Sequence, residues 1–382
     1  MVSLVGTWMQ GTAQGQFMFD LTQSPAWLGY IGFASGAPTW LFMLWAGVVA
    51  DRISRRTVLI VTQTTMMALA FILAGLTFSG LVQPWHILMM AFCLGIANAF
   101  DAPARLAFVP ELVGKEDLTN AIALNATMFN TATAFGPAVA GITYSFFGPG
   151  WCFTINGLSF IAVIAALLLM KLDPPQSVPR RAPILENLRD GLSYIAQERI
   201  VRVLILSIGM VSLFGLGFVT LFPAWAVRIL GGDATTTGLL QSSRGLGALF
   251  GALTLATLSG LRIRGKLLTL GSFIFPLFIL LFSFTRWLPI SMLVLMCIGY
   301  AFMFFVNLAN VTVQTQTPDH LRGRVMSVYS LSFFGLMPLG SLLAGNAAAL
   351  IGEPITVMLG ALLMLSFAGL IYFWAPELRR VP

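Results

Sequence analysis

The stretch AGVVADRISRRTVL at 46–59 decides the fold. It separates two long apolar runs and places four charges, Asp51, Arg52, Arg55 and Arg56, within six positions. Only 9% of the 382 residues are charged, so this density is an exception within the chain. The four charges belong either to a solvated loop that anchors two membrane helices or to a device that moves, and the rest of the sequence bears on that choice.

The overall composition excludes a soluble globular protein. Hydrophobic residues make up 58% of the chain and the mean hydropathy is +0.88, whereas a soluble domain carries about 25% charged residues. The apolar runs are roughly 18–25 residues long and lack strand alternation, which predicts membrane-spanning helices and not barrel strands. The net charge of +7 therefore indicates the positive-inside bias of a membrane protein and not a nucleic-acid partner.

Hydropathy predicts twelve membrane spans separated by turn and breaker residues. The first span begins at Met1 without a basic leader, and we expect the first helix to lack a few residues at its start. The predicted spans are 2–19, 26–49, 57–80, 84–103, 119–145, 150–170, 201–226, 235–258, 266–285, 287–309, 324–348 and 353–375.

Basic residues predict the orientation of these spans. Of the 21 lysines and arginines, all but three lie in the loops after even-numbered spans or in the carboxyl-terminal tail. The opposite loops hold only Arg228 and Arg286, and Arg244 lies inside a span. Since basic loops stay in the cytoplasm, we expect both termini there, in a bacterial-type inner membrane.

A long connection and an internal repeat divide the chain. Residues 171–200 begin with proline and charge and then become amphipathic, which predicts an interfacial helix between a bundle at 1–170 and a second at 201–382. An offset of 208 residues aligns the proline, acid and leucine of 109–121 with those of 317–329. Two six-helix halves related by an axis along the membrane normal are typical of one large class of transporters.

The opening stretch fits the pattern G-x-x-x-D-R-x-x-R-R after the second span. This pattern resembles the signature of the major facilitator superfamily, except that Ser54 stands where the family usually has glycine. The resemblance covers the whole chain, from the 6+6 arrangement of spans to the central loop. It implies an all-α integral membrane protein with twelve transmembrane helices in two pseudo-symmetric six-helix bundles, the major facilitator fold.

The resemblance also implies a conformational latch at the cytoplasmic end. Asp51 would bind the positive end of span eleven near 323–326, and one of the three arginines at 52, 55 and 56 would reach Asp101. The alternatives are a plain positive-inside anchor for the arginines and an ion pair at a helix end for Asp101 and Arg105. The latch candidates are Gly47, Asp51, Arg52, Arg55, Arg56, Asp101 and Arg105.

Four further segments resemble an exporter branch of the superfamily, often labelled transmembrane secretion effectors, which includes macrolide efflux proteins and the enterobactin exporter. They are FDLTQSP at 19–25, DAPARLAFVPEL at 101–112, LVGKEDLTNAIALN at 112–125 and LRDGLSYI at 188–195.

Span five carries an antiporter-like motif at Gly136, Pro137 and Gly141. Proline kinks the helix, and small residues let a neighbouring helix approach closely. In the resembled family this motif accompanies efflux, which implies a flexible helix interface. Generic helix packing is the alternative.

Arg244 is the main candidate for a charge in the substrate cavity. It lies about 14 Å along span eight, and an intramembrane arginine costs at least about 2.5–3.5 kcal/mol unless it faces a cavity or a partner. No carboxylate of comparable depth is evident, so an anionic group of the substrate is a candidate counter-charge; backbone carbonyls and water are the alternative. The cavity and substrate candidates, each equally able to hold helices together, are Gln10, Gln14, Asn125, Asn130, Gln241, Arg244, Asn307 and Asn310.

Phe214, Phe218 and Phe222 in span seven could stack on an aromatic substrate, and packing is the alternative. The sequence contains no enzyme motif, no paired-cysteine metal site and only two isolated histidines. We therefore expect neither an enzyme nor a bound cofactor or metal, and the proton gradient is the expected energy source.

Together these features predict a monomeric exporter that acts in the lipid bilayer without a nucleic-acid partner. Its substrate would be a small amphipathic molecule, such as a drug, a siderophore or another secondary metabolite, moved by alternating access in exchange for protons. Two alternatives stay open: an importer or lipid transporter of the same fold, and a non-transporting membrane sensor or assembly protein.

Overall fold

The structure is a computed structural model that describes residues 1–113, 116–170, 184–257 and 264–380, with the backbone alone at 43–52, 184–189 and 256–257. These residues form thirteen helices and no strand. A 3-10 turn, Pro376–Arg380, follows the last helix. The helices are α1 Val2–Thr22, α2 Pro25–Arg52, α3 Arg55–Phe78, α4 Pro84–Leu112, α5 Leu118–Phe147, α6 Pro149–Leu169, α7 Ile184–Gln197, α8 Arg199–Ile229, α9 Ala234–Thr257, α10 Arg264–Ser283, α11 Leu288–Gln316, α12 Asp319–Ile351 and α13 Glu353–Trp374.

Twelve of these helices coincide with the predicted spans, and α7 lies in the predicted linker. Their ends differ, because α4 continues to Leu112 where the sequence predicts an end at 103, and α11 continues to Gln316 where it predicts 309. Hydropathy detects only the part of a helix that can lie in lipid. A helix extends further wherever its additional turns carry solvated side chains.

Eight of the helices, α3, α4, α6, α8 and α10 to α13, are long and apolar enough to cross a membrane. The fully described helices α1 and α5 fall outside this set, because glutamine, threonine and asparagine interrupt their apolar sequence. Phe146, Leu169, Leu350 and Phe373 are between 78% and 85% exposed. An apolar surface of this kind is stable against lipid and not against water.

Two tight turns repeat between the halves of the chain. Gly148 links α5 to α6 with φ 87°, and Gly352 links α12 to α13 with φ 84°. Positive φ values favour glycine, which has no Cβ to clash. A proline follows in the first turn of each next helix, at Pro149 and Pro354, where its missing N–H is not needed. The repeat predicted from the sequence therefore extends to the turns between the last two helices of each half.

Ser54, the departure from the family signature, caps α3. Its backbone adopts φ −57°, and its hydroxyl accepts a hydrogen bond from the backbone N–H of Thr57 at 3.2 Å. Serine is among the best N-cap residues because its oxygen satisfies one of the N–H groups left free at a helix start. No glycine is required at this position, since the backbone avoids the left-handed region.

The helices α3, α4 and α6 share an apolar core. Val58 and Leu59 of α3 pack with Ala104 and Phe108 of α4 and with Leu167 of α6, and each of the five is at most 6% exposed. This core fixes the end of α4 on which the carboxylate of the predicted latch lies.

The helix α8 changes its winding along its length. Its regular α-helical part ends at Met210, and π-helical turns occupy Val211–Gly215 and Trp225–Ile229 around a 3-10 segment, Gly217–Leu221. A Cβ on Gly217 would lie 2.5 Å from the carbonyl oxygen of Gly340 in α12. The distorted segment thus allows the backbones of α8 and α12 to approach closely.

The aromatic residues of this segment are packed together. Phe218 is 3% exposed and Phe222 is 1% exposed. Both contact the ring of Phe282 in α10, with centroids 5.9 and 6.1 Å away. The structure therefore favours packing over substrate stacking for these two rings.

The chain divides into two compact units. Unit 1 contains Met1–Gln23, Tyr30–Arg180 and Gly232–Ser242, and unit 2 contains Ser24–Gly29, Arg181–Gly231 and Ser243–Pro382. The division differs from the predicted bundles 1–170 and 201–382 at two places. The first turns of α2 belong to unit 2, and those of α9 belong to unit 1.

The helix α7 packs on the protein, against α12 in unit 2. Asp190 forms an ion pair with Arg324, and a Cβ on Gly191 would lie 2.9 Å from the carbonyl oxygen of Arg324. The Tyr194 hydroxyl donates to the carbonyl oxygen of Gln316 at 3.0 Å. Burial, followed by the negative charge of Glu198, raises the pKa of Tyr194, which keeps the hydroxyl a neutral donor.

Candidate functional site

A buried carboxylate organises the end of α4. Asp101 is completely buried, and its Oδ1 accepts hydrogen bonds from Thr62 Oγ1 at 2.9 Å and Gln63 Nε2 at 2.8 Å. Its Oδ2 pairs with Arg105 one turn later. A buried charge is tolerated only when its oxygens are bonded. The ion pair at a helix end, one of the two interpretations from the sequence, is thus present.

The arginines of the signature have other partners. Arg55 pairs with Glu111 and donates to the carbonyl oxygen of Ala107 at 3.0 Å. Arg56 donates to the last carbonyl oxygens of α6 at 2.7 and 2.9 Å, where a helix end carries partial negative charge. Arg55 and Arg56 thus bond to acceptors of α4 and α6 and not to Asp101, so of the three arginines that the sequence offered for this contact, Arg52 is left.

The remaining latch candidates, Gly47, Asp51 and Arg52, lie in the part of α2 for which only the backbone is described. Their predicted contacts with Asp101 and with the start of span eleven stay predictions.

Two of the cavity candidates, Gln10 and Gln14 of α1, are buried inside unit 1. Gln10 is 2% exposed and accepts a hydrogen bond from Asn156 of α6 at 2.6 Å. Gln14 is 4% exposed and donates to the carbonyl oxygen of Ile87 in α4 at 3.1 Å. In this structure each of the two residues joins α1 to a neighbouring helix, which is the alternative that the sequence left open, and their role at a substrate cavity stays a prediction.

A polar seam joins α1, α5 and the first turns of α9 within unit 1. Gln16 of α1 donates to Asp20 at 2.8 Å and accepts from Thr237 at 2.7 Å. Asp20 also accepts from the hydroxyl of Tyr144 in α5. The adjacent Ser145 donates to Asp233 at 3.1 Å, just before α9.

The antiporter-like motif lies along this seam. A Cβ on Gly136 would be 2.6 Å from the Cβ of Trp8 in α1, and a Cβ on Gly141 would be 2.7 Å from the carbonyl oxygen of Ala234 in α9. On the other side of the contact, a Cβ on Gly238 would be 2.3 Å from the carbonyl oxygen of Pro137. The motif therefore lies where three helices approach at backbone distance.

Unit 2 repeats this contact. The first turn of α2 packs on α12, where a Cβ on Gly345 would lie 2.5 Å from the Cα of Gly29. Thr220 of α8 also donates to the carbonyl oxygen of Leu28 at 2.9 Å. The fifth span of each half thus has a glycine at such a contact. Gly141 of α5 packs on the start of α9, and Gly345 of α12 packs on the start of α2.

The close approach predicts an effect of a single methyl group. We expect Gly238→Ala to lower the free energy of unfolding by about 1–3 kcal/mol, because its Cβ meets backbone atoms that cannot move aside. Gly75→Ala in α3 is the matched control, since a Cβ there meets no atom within 4 Å. We expect it to leave stability unchanged or slightly raised. Denaturant titration of the purified protein compares the two, and equal effects would contradict the close contact.

Arg244 lies near the middle of α9, about 15 Å from the helix start. Its Nε is buried and has no hydrogen-bond partner among the described residues. The helix is held against α11 at this level, because a Cβ on Gly299 would lie 1.9 Å from the carbonyl oxygen of Arg244. The backbone of Arg244 is thus fixed in position while part of its guanidinium is left without a partner.

The carboxylates of unit 2 do not compensate this charge. Five have described side chains, and four of them pair with other arginines. The fifth, Glu198, lies at the start of α8 and forms no ion pair within the described ranges. The four pairs are Asp190 with Arg324, Asp319 with Arg322, Glu353 with Arg228, and Glu377 with Arg199.

The other cavity candidates are divided between the units. Gln241 accepts a hydrogen bond from Thr12 of α1 at 2.9 Å, and Asn310 accepts one from Gln314 one turn later at 2.7 Å. Asn125, Asn130 and Asn307 are half-buried. Their role at a substrate site stays a prediction.

An apolar cavity of about 420 Å³ lies against α3 and α4 in unit 1. Thr57, Val61 and Thr65 line one side of it, and Cys93 and Ile96 line the other. None of the predicted cavity residues lines this space. In the part of the chain that the structure describes, no group of three or more potential metal ligands occurs.

Some contributors were not predicted from the sequence. Thr62 and Gln63, which bind Asp101, lie 39 and 38 positions away from it along the chain, and no local pattern links them. The distortion of α8 could have been predicted from the sequence, because Gly215, Gly217 and Pro223 interrupt an otherwise apolar run.

A family model described as transmembrane secretion effector matches residues 1–380. The chain belongs to this family of major facilitator transporters. The staphyloferrin A transporter of Staphylococcus aureus (strain NCTC 8325 / PS 47) is 24% identical over 350 residues, which cover 91% of this chain and 87% of that protein. The enterobactin exporter EntS of Escherichia coli O157:H7 (strain EC4115 / EHEC) is 27% identical over 394 aligned positions, which cover 99% of this chain and 90% of that protein. Like these family members, the chain is a multi-pass membrane transporter of small molecules and not an enzyme.

Solved structures identify the fold. The nucleoside transporter NupG matches with a TM-score of 0.75 at 14% identity, over 97% of this chain and 96% of that chain. A bacterial homologue of the human lysosomal transporter Spinster matches with a TM-score of 0.69 at 16% identity, over 98% of this chain and 96% of that chain. The major facilitator fold predicted from the sequence is confirmed, and at these identities the likeness concerns the fold alone.

Proposed function

We propose that this secretion effector exports a small, amphipathic and anionic metal chelator of the siderophore class across a bacterial inner membrane. Two relatives that match most of its length are named for staphyloferrin A and enterobactin. Transport proceeds by alternating access of the six-helix halves 1–170 and 201–382, in a monomer with both termini in the cytoplasm. The driving force is exchange for protons.

The main support for an anionic substrate comes from Arg244. A guanidinium in the middle of a membrane helix is expensive and is retained where it faces a partner or a cavity. The described carboxylates of unit 2 do not pair with it, so the substrate itself supplies the negative charge. A chelator of a hard metal ion fits this requirement, because hard cations are held by oxygen donors that are largely anionic.

Alternating access needs contacts that form in one state and break in the other. We assign this role to Asp51 and Arg52 at the end of α2. An acidic residue contributes little to membrane orientation, so orientation does not explain Asp51. Asp101 and Arg105 position the receiving end of α4. The motif Gly136–Gly141 provides the smooth helix surface along which α9 moves.

The proposal is tested by measuring transport direction in membrane vesicles. Inside-out vesicles from cells that express the full-length protein are energised so that their lumen is acidic, and the uptake of enterobactin and staphyloferrin A is followed. We expect accumulation of at least one probe above that in vesicles without the protein. A protonophore abolishes this accumulation.

The other outcomes separate the alternatives. Uptake only in right-side-out vesicles would make the protein an importer, and movement of a fluorescent phospholipid in place of the siderophores would make it a lipid transporter. If no probe moves although the protein is in the membrane, a sensor or assembly role replaces the proposed function.

A further inference from the structure

A second group of charges lies at the corner where α8 begins and α13 ends. We call it the arginine–tryptophan corner and define it as Arg199, Arg202, Tyr372, Trp374 and Arg379. The guanidinium carbons of Arg199 and Arg202 lie 5.1 and 5.7 Å from the centre of the Trp374 ring. That of Arg379 lies 4.1 Å from the centre of the Tyr372 ring. All five residues belong to unit 2 and none contributes to the site described above.

The corner carries more positive charge than its carboxylates balance. Glu377 pairs with Arg199 at 2.9 Å, and the ion pairs of the described residues include none for Arg202. One terminal nitrogen of Arg202 donates to the carbonyl oxygen of Ala196 at 2.7 Å, while its Nε is buried without a partner. Two guanidinium groups beside one ring repel each other, and an anion placed between them would relieve both the repulsion and the unpaired donor.

The surroundings of the corner are apolar and exposed. Phe373 is 83% exposed, Leu370 is 61% exposed and Leu206 of α8 is 50% exposed. Tryptophan and tyrosine are enriched at the level of lipid headgroups, where one side of the ring is apolar and the other is wet. The corner thus offers cationic donors directly beside a surface that suits acyl chains.

We infer that the arginine–tryptophan corner binds the headgroup of an anionic phospholipid, with Arg202 donating to its phosphate. Basic groups next to membrane helices on the cytoplasmic side are suited to such headgroups. A free phosphate ester would use the guanidinium groups but leave Phe373 and Leu370 without a partner, so the exposed apolar side chains favour the lipid. The inference uses the proposed orientation only to name the cytoplasmic leaflet, and it is independent of substrate and transport direction.

Lipid retention by the intact protein tests the inference. The full-length protein is purified in detergent, mixed with dioleoyl-phosphatidylglycerol or dioleoyl-phosphatidylcholine, and analysed by native mass spectrometry. We expect phosphatidylglycerol to be retained with an apparent affinity at least about fivefold higher than that of phosphatidylcholine. Arg202→Gln abolishes this preference.

Three controls separate lost binding from lost folding. Arg322→Gln changes an arginine that pairs with Asp319 at the start of α12, outside the corner, and leaves the preference unchanged. Arg202→Lys keeps the charge and retains part of the preference. Glu377→Gln releases Arg199 from its carboxylate and raises the retention of phosphatidylglycerol, which a folding defect cannot imitate.

Equal retention of the two lipids by the wild-type protein would overturn the inference, and so would an unchanged preference in Arg202→Gln. Displacement of phosphatidylglycerol by millimolar glycerol 3-phosphate would assign the corner to a soluble phosphate ester and would also overturn it. Since the assay involves no transport, its failure leaves the proposed export function untouched.

Discussion

Arg244→Gln is expected to reduce export of an anionic substrate roughly 10- to 100-fold, the effect of losing a charge-assisted hydrogen bond worth about 1.5–3 kcal/mol. The reason is that glutamine keeps a polar group on α9 but removes the charge that the described residues do not compensate. The measurement is initial-rate transport in inside-out vesicles with matched amounts of protein. Arg244→Lys keeps the charge without the planar fork and should retain intermediate activity.

Stability distinguishes a substrate-binding charge from a structural one. Since the described residues provide no carboxylate for Arg244, its removal should leave the free energy of unfolding unchanged or higher. Arg286→Gln is the matched control, because this arginine is exposed, donates to the carbonyl oxygens of Ser283 and Thr285 and lies beside the Trp225 ring. Wild-type transport by Arg244→Gln would contradict the assignment, and so would a loss of stability that accounts for the loss of transport.

Asp101→Ala is expected to lower the free energy of unfolding by about 3 kcal/mol. The carboxylate is completely buried, and its removal leaves the donors of Thr62, Gln63 and Arg105 without their acceptor. Denaturant titration of the purified protein measures the change. Asp101→Asn should fall between alanine and wild type, because the amide oxygen still accepts from two of the three donors.

Glu111→Ala is the matched control for this substitution. Glu111 lies on the same helix and also pairs with an arginine, but both partners are partly exposed, with side-chain exposures of 33% and 23%. Surface pairs of this kind contribute at most about 1 kcal/mol. Equal effects of Asp101→Ala and Glu111→Ala would show that burial of the carboxylate does not determine its contribution.

The spans and turns were predictable because each depends on local sequence. Apolar runs predicted twelve helices, and Pro149 and Pro354 stand where new helices begin. Hydropathy failed at the ends of α4 and α11, because it detects contact with lipid and not the continuation of a helix. The sequence therefore predicted which segments form helices, but it did not predict the residues at which these helices end.

Side-chain partners were much less predictable. The sequence identified Gln10 and Gln14 as polar residues of a membrane span but could not tell whether their side chains meet water or the helices α4 and α6. The charges of Arg55 and Arg56 were evident, whereas their acceptors come from α4 and α6 at distant positions in the chain. Partners of this kind depend on which helices become neighbours, and no periodicity in the sequence contains that information.

The central claim is that a negative charge on the substrate is recognised by Arg244, and one comparison tests it most directly. Inside-out vesicles with wild-type protein are given a carboxylate-bearing chelator or its methyl ester, which differ in charge and little in shape. We predict that the acid accumulates, that the ester accumulates at less than about one tenth of its rate, and that Arg244→Gln removes the difference. Equal transport of acid and ester by the wild-type protein would contradict the account.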